Sequence, residues 1–262
     1  MNLLVIGGGG REHAIVKKLK ENPAVETIYC APGNGGIAAD AVCVPEIGAK
    51  DISAQVDFAK THSIDFAVVA PDDPLVLGAV DALEAAGIPC FGPEAKAAII
   101  EGSKVFSKDL MKKYGIPTAE YQVFTDAAAA IDYVKSCALP VVVKADGLAL
   151  GKGVLIAETR EDAVAAVESI MLDRAFGDSG NQVVIEEFLT GPEVSVLAFT
   201  DGKTVVPMVS SMDHKRAHDH DEGLNTGGMG TVAPNPYYTE DMARVCTETI
   251  FLPTMDAMNA EN

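Results

Sequence analysis

Four clusters in this sequence have residue types and spacing suited to handling anions and acyl groups. Gly7-Gly8-Gly9-Gly10-Arg11-Glu12-His13 follows a short apolar run and precedes a helical pattern. Glycine lets backbone approach a ligand closely, and the first turn of a helix offers unpaired N–H groups to a phosphate. Only Gly7-x-Gly9 fits the dinucleotide fingerprint GxGxxG. Glu12 stands at its third glycine, and Glu26 is a poor match for the acidic residue expected further on. Arg11, Glu12 and His13 suit a phosphate and ribose better than a nicotinamide. The bland alternative is a tight turn with nothing bound.

The second cluster, Lys144-Ala145-Asp146-Gly147-Leu148-Ala149-Leu150-Gly151-Lys152-Gly153, lies between two apolar runs. It is not a Walker motif, which needs GxxxxGK[ST] opening a helix. Gly147, Gly151 and Gly153 allow a flexible flap that could lie over polyphosphate, with Lys144 set at the end of a buried strand. Otherwise this is a hairpin turn whose lysines are merely solvated. The third cluster is Glu186-Glu187-Phe188-Leu189 with Gly191-Pro192-Glu193. Two acids closing an apolar strand are unusual in a core. They could accept from an amino group and from ribose hydroxyls, or the strand could simply be reaching solvent.

The fourth runs Asp213-His214-Lys215-Arg216-Ala217-His218-Asp219-His220-Asp221-Glu222, then Asn225-Thr226-Gly227-Gly228-Met229-Gly230. Acids and histidines this dense could bind a transition metal, but Lys215 and Arg216 among them disfavour a cation. A mixed-charge loop for a zwitterionic or phosphorylated substrate fits better, with backbone donors at the glycines beside it. His62, on a predicted surface helix, carries no function. No Gly-x-Ser-x-Gly elbow or supported Cys–His pair suggests covalent catalysis.

These clusters need elements to hold them. Asn2–Ile6, Thr27–Ala31, Asp65–Ala70 and Ile88–Phe91 read as strands, and residues 11–20, 51–61 and 75–86 as helices, the first with Ala14, Ile15 and Leu19 on one face. Strands and helices alternating at this pitch predict an α/β fold with a parallel sheet, ligands sitting at the strands' carboxyl ends. A boundary falls near Gly92-Pro93. Two helical stretches then lead to Tyr114, and residues 121–187 alternate strand and helix as a second, α+β layer. Val194–Thr200 and Thr204–Val209 predict an antiparallel pair about Asp201-Gly202. Residues 210–235 read as a long structureless polar loop, usually functional, and helix resumes at Thr239.

The chain has 262 residues, enough for one or two domains, and 48% hydrophobic against 22% charged residues, which excludes a disordered chain. Its net charge of −18 repels nucleic acid and anionic membrane, so neither is an expected partner. An anionic ligand must then be held locally. No apolar run reaches the ~20 residues that span a bilayer, and MNLLVIGGGGRE has no signal-peptide pattern. The five cysteines are odd in number and form no CxxC pair, as in a reduced, cytoplasmic protein.

Together GGGGREHA (7–14), PGNGG (32–36), PDDPLVLGAVD (71–81), FGP (91–93), EGSKVFSKDLMKKYGIPTAEY (101–121), PVVVKADGLALGKGV (140–154), VVIEEFL (183–189) and DHKRAHDHDEGLNTGGMG (213–230) closely resemble the glycinamide ribonucleotide synthetases, ligases of the ATP-grasp superfamily. The resemblance runs to about residue 236. It implies a Rossmann-like, pre-ATP-grasp domain over 1–100 and a partial ATP-grasp α+β domain over 101–262, with 122–186 as a small ATP-lid subdomain. It implies ATP and Mg²⁺ (Mn²⁺ in its place) as cofactors, and glycine and 5-phosphoribosylamine as substrates in purine biosynthesis. Carried over position by position, Lys104 and Lys144 meet the ATP phosphates, and Gly147, Gly151, Lys152 and Gly153 belong to the flap. Glu186, Phe188 and Leu189 form the adenine hinge, and Glu193 takes the ribose. Gly9, Arg11, Glu12, His13 and Asn34 bind the sugar phosphate. Asp213, Lys215, Arg216, Asn225 and Thr226 lie where glycine, the γ-phosphate and the amine meet. Pro192 and Gly223-Leu224 depart from the usual pattern. The family continues past residue 262, where its metal ligands are expected. Runner-up readings are another ATP-grasp carboxylate–amine ligase, an inactive nucleotide-binding module, and, least favoured, a dinucleotide-dependent oxidoreductase.

Overall fold

Alternate residues of the first strand are apolar on both sides, so the strand has to be covered on both faces. The computed structural model, which describes residues 1–149, 153–226 and 228–261 (the side chains of Asp221, Leu224 and Asn225 excepted), places it at the centre of a sheet. In chain order the first elements are β1 (Asn2–Gly7), α1 (Gly10–Lys20), β2 (Thr27–Pro32), β3 (Val42–Cys43), α2 (Ile52–Thr61), β4 (Phe66–Val69), α3 (Asp72–Val76), α4 (Ala79–Ala85), β5 (Cys90–Phe91) and α5 (Ala95–Gly102). The five strands run parallel in the order β3-β2-β1-β4-β5. Leu4 and Ile6 pack into a core with Ala67, Val69 and Leu83. Leu3 and Val5 face the other side, with Val16, Ile28 and Val68. The expected parallel α/β sheet is therefore present.

Two expectations here change. On α1 it is Glu12 and Val16, one turn apart, that are buried, while Ala14 is exposed. The helix expected over 75–86 is two helices, because Gly78 adopts φ +87° and starts α4 afresh. Asp51 caps α2, accepting from Ala54 N at 3.1 Å.

The rest of the chain follows as α6 (Lys104–Tyr114), β6 (Tyr121–Phe124), α7 (Ala127–Val134), β7 (Val141–Ala145), β8 (Val154–Ala157), α8 (Arg160–Met171) and β9 (Val183–Glu187). Strands β6, β9, β7 and β8 form one sheet in that order. Next come β10 (Ala198–Thr200) and β11 (Val205–Pro207), the expected antiparallel pair.

The stretch expected to be structureless is not. Here lie β12 (Met212–Asp213), β13 (Arg216–His218), β14 (Glu222–Asn225) and β15 (Thr231–Val232). β12 pairs with β15, and inside that pair β13 returns antiparallel to β14. Bonds such as Met229 N to His214 O (2.7 Å) and Thr226 N to Lys215 O (2.6 Å) join the layers. Gly223 (φ +84°) and Gly228 (φ +114°) make the bends. None of its described side chains is fully buried, so no apolar alternation marks it in sequence. Helices α9 (Glu240–Cys246) and α10 (Leu252–Ala260) follow, joined by a π-helical turn, Thr247–Phe251.

Contacts divide the chain into two compact units. One comprises Met1–Ser107, Lys144–Val154 and Ser169–Val183, the other Lys108–Val143, Leu155–Glu168 and Val184–Asn262.

Candidate functional site

In the first unit the glycine loop leaves β1 at the point where the strand order reverses, the usual ligand position in an open parallel sheet. Glu12 is 4% exposed and folds back so that Oε2 accepts from Gly9 N at 2.5 Å. A Cβ at Gly7 would meet Glu12 Cγ at 2.5 Å, and one at Gly9 would meet Oε2 at 2.7 Å. The glycines thus make room for a buried carboxylate. Asn34 is similarly engaged. Its Oδ1 accepts from Gly36 N (2.7 Å) and Ile37 N (2.9 Å), and its Nδ2 donates to Gly8 O at 2.8 Å. Gly33 N donates to Gly7 O at 3.1 Å, and a Cβ on Gly8 would sit 2.7 Å from Gly33 O. Gly9, Arg11, Glu12, His13 and Asn34 are thus gathered on two interlocked loops, with Arg11 exposed.

His13 Nε2 lies 3.0 Å from Asp40 Oδ2, and Lys20 Nζ lies 3.1 Å from Oδ1. The bond from His13, then that from Lys20, holds the Asp40 carboxyl below its ordinary range. Beneath the loops Cys30 Sγ donates to Gly7 O at 3.3 Å, and burial pushes this thiol up to about 12.

Also in the first unit, Lys104 Nζ donates to Gly147 O at the root of the predicted flap. Asp146 fastens that root: it accepts from Ser103 Oγ (3.1 Å), from Val105 N in the first turn of α6 (3.1 Å) and from Gln182 Nε2 (2.7 Å). Gly147 adopts φ +110°, and a Cβ there would meet Ser179 Oγ at 2.6 Å. Lys144 is half-buried at the end of β7. Gly153 O accepts from Ala145 N at 2.8 Å, closing the loop's base. Gly151 and Lys152 lie outside the described residues.

In the second unit Glu186 is 4% exposed, and its Oε2 lies 2.5 Å from Lys108 Nζ. The strand is therefore not simply reaching solvent at Glu186. Phe188 is half-buried and Leu189 exposed. Lys215 Nζ donates to Glu193 Oε2 at 2.8 Å and lies 3.6 Å from Asp213 Oδ1. Glu193 first, then Asp213, push the Lys215 ammonium above its ordinary value. Arg216 Nη1 donates to Gly223 O at 2.6 Å, steadying the inner hairpin, and Thr226 Oγ1 accepts from Gly228 N at 3.1 Å. Asn225 lies opposite Arg216 in the ladder. The dense run of histidines and acids gathers no group of three or more metal-type ligands among the described residues. His62 stacks on Phe58 at 3.8 Å between ring centroids, a packing role.

Four polar residues were not singled out from sequence. Ser103 and Gln182 serve Asp146. Lys108 serves Glu186. Asn235 is buried, donates to Glu193 O (2.8 Å) and Ser211 O (3.3 Å), and accepts from Tyr237 N (2.8 Å). The available signals were slight: an Asp followed by Gly at a strand end, and an Asn before Pro.

An open parallel sheet followed by an ATP-grasp fold defines the class. The model of the phosphoribosylglycinamide synthetase N domain matches residues 1–101, and that of the same enzyme's ATP-grasp (A) domain matches residues 102–262. The chain belongs to the phosphoribosylglycinamide synthetase family. It is 51% identical over 261 residues to a phosphoribosylamine–glycine ligase of Listeria monocytogenes, covering 100% of this chain and 62% of that protein. It is 50% identical over 262 residues to that of Escherichia coli K12, covering 100% and 61%. The crystal structure of the Thermotoga maritima phosphoribosylamine–glycine ligase superposes with a TM-score of 0.84 at 32% identity, covering 100% of this chain and 62% of that one. The chain thus spans about 62% of the length of these relatives.

Proposed function

We propose that this chain carries the sugar-phosphate and nucleotide parts of an ATP-dependent carbon–nitrogen ligase that joins glycine to 5-phosphoribosylamine. The observation that carries this is the root of the flap, where Asp146 fastens a glycine-rich loop to the start of α6 and Lys104 bonds its first carbonyl. Such a loop can fold over polyphosphate while its base stays fixed, and the chain-long kinship with named phosphoribosylamine–glycine ligases supports that use.

A carboxylate is a poor acyl donor. In the proposed reaction an oxygen of glycine's carboxylate bonds to the γ-phosphorus, ADP leaves, and the sugar amine then attacks the acyl carbon and expels phosphate. Positioning and charge neutralisation do most of this work. Lys104, Lys144 and the flap hold the phosphates, and the hinge at Glu186, Phe188 and Leu189 takes the adenine. Glu193 takes the ribose. Lys215, flanked by acids, meets the charge developing between glycine and phosphate, with Asp213, Arg216, Asn225 and Thr226 around it. Residues 1–100 are assigned to the sugar phosphate and 101–262 to ATP. A cytoplasmic location belongs to the same reading, with all five thiols free. Mg²⁺ or Mn²⁺, when bound, would neutralise phosphate charge, but among the described residues no group of three or more His, Cys, Asp or Glu is placed to hold it.

In the full-length protein, phosphate release should require ATP, glycine and 5-phosphoribosylamine together. Equal turnover with another acid in place of glycine would make it a different carboxylate–amine ligase. Lys144→Ala should weaken ATP binding by about 1.5–3 kcal/mol, the scale of a hydrogen bond to a charged group, as read by calorimetry.

A further inference from the structure

We propose that Lys108 is a positioning residue for nucleotide-base selectivity, acting through Glu186. The inference rests on the reading of Glu186, Phe188 and Leu189 as the segment that meets adenine. Lys108 sits in the middle of α6 and is 8% exposed, a level rare for lysine. Its ammonium has a full set of partners: Glu186 Oε2 at 2.5 Å, Thr118 Oγ1 at 2.7 Å and Ala119 O at 3.4 Å. It also lies 5.5 Å from the centroid of the Tyr121 ring, whose hydroxyl donates to Asp109 at 2.8 Å. One side chain therefore ties α6 to the segment leading into β6 and to the end of β9.

Stability alone is a weak reason to keep such a pair. Removing two charges from water costs several kcal/mol per ion, and apolar side chains of the same volume often serve as well. What the pair supplies is direction. Glu186 and Glu187 are the last two residues of β9 and point to opposite faces. Lys108 holds Glu186. Glu187 is held separately, its N–H donating to Glu120 O and its Oε1 accepting from Glu120 N, both at 3.0 Å. Fixed from both faces, the strand end delivers the backbone of 187–189 in one orientation. Backbone groups distinguish adenine from guanine only if the donor and acceptor meeting the base edge are correctly placed. Guanine reverses the pattern at its 6-position and N1.

The test is steady-state kinetics of the full-length protein with ATP and with GTP, taken as the ratio of the two kcat/KM values. A reduced folded fraction cancels in that ratio, so a merely structural defect leaves it unchanged. Lys108→Gln should reduce the ATP preference about tenfold, mainly through KM for ATP, with KM for glycine and 5-phosphoribosylamine unaltered. An unchanged preference in this variant overturns the proposal. Should Lys108→Gln not fold, Lys108→Arg replaces it. The longer planar guanidinium keeps the charge but displaces Glu186, and should narrow the preference at least threefold; no change overturns the proposal. A wild-type protein with no preference for ATP over GTP would instead overturn the hinge reading itself.

Discussion

The glycine loop of the first unit and the nested hairpins of the second both gather charged and polar candidates, but they hold them in different ways. At the glycine loop the polar atoms of Glu12 and Asn34 are spent on the protein: they close Gly9, Gly36 and Ile37 N–H groups and the Gly8 carbonyl. In the hairpins Lys215 and Asp213 are only partly buried, and Lys215 pairs with Asp213 and with the exposed Glu193, while backbone ladders carry the fold. A candidate site of the first kind is built into the fold, and damage to it is damage to the fold. A site of the second kind can lose a side chain and stay folded.

The sharpest way to break this contrast is Glu12→Ala. It removes a buried, charge-assisted bond and leaves Gly9 N–H without its acceptor, so denaturant unfolding should show a loss of about 2–3 kcal/mol. Binding of 5-phosphoribosylamine should fall with it. A variant as stable as wild type would mean the loop does not depend on this carboxylate. Lys215→Ala is the counterpart. It should cut turnover at least tenfold but leave stability within about 0.5 kcal/mol, the scale of an exposed ion pair. A large stability loss would erase the contrast. Arg11→Ala refines it within the first region: exposed and outside the buried frame, it should raise the 5-phosphoribosylamine requirement severalfold with ATP affinity intact. If only ATP binding falls, the two half-sites are assigned the wrong way round.

The smallest effects lie in pH. Asp40 titrates below its ordinary 3.8 because His13 and Lys20 bond it. Its stabilisation is present above that value and is lost as pH falls through the lower folded one. Lys215 titrates above 10.5, so its stabilisation is present below 10.5 and is lost as pH rises through the folded value. Urea midpoints followed across pH should therefore flatten at the acid end in Asp40→Asn and at the alkaline end in Lys215→Met. The opposite assignment would contradict the geometry.

Most strands and helices were legible because burial on both faces writes continuous apolar runs, as in β1; the two-residue β3 was too short to leave such a run. Gly78 hid a break within an apolar helical pattern. The hairpins at 210–235 were illegible because their side chains are mostly polar and none of the described ones over 212–232 is fully buried, so no period of two stands out. Among candidate site residues, the clusters after β1, around β7–β8 and at the end of β9 stand out in the sequence through their glycines and misplaced charges. Their supports could not. Lys108, Gln182 and Asn235 look like ordinary polar positions, and only the folded chain reveals what they hold.

The interlock of the first two loops has a kinetic consequence. Gly33 N is bonded to Gly7 O, Asn34 to Gly8 O, and a single added methyl at Gly8 would collide with Gly33 O. Two loops joined this closely cannot swing apart as separate jaws. Capture at this end of the sheet should then follow simple second-order encounter, with no gating delay.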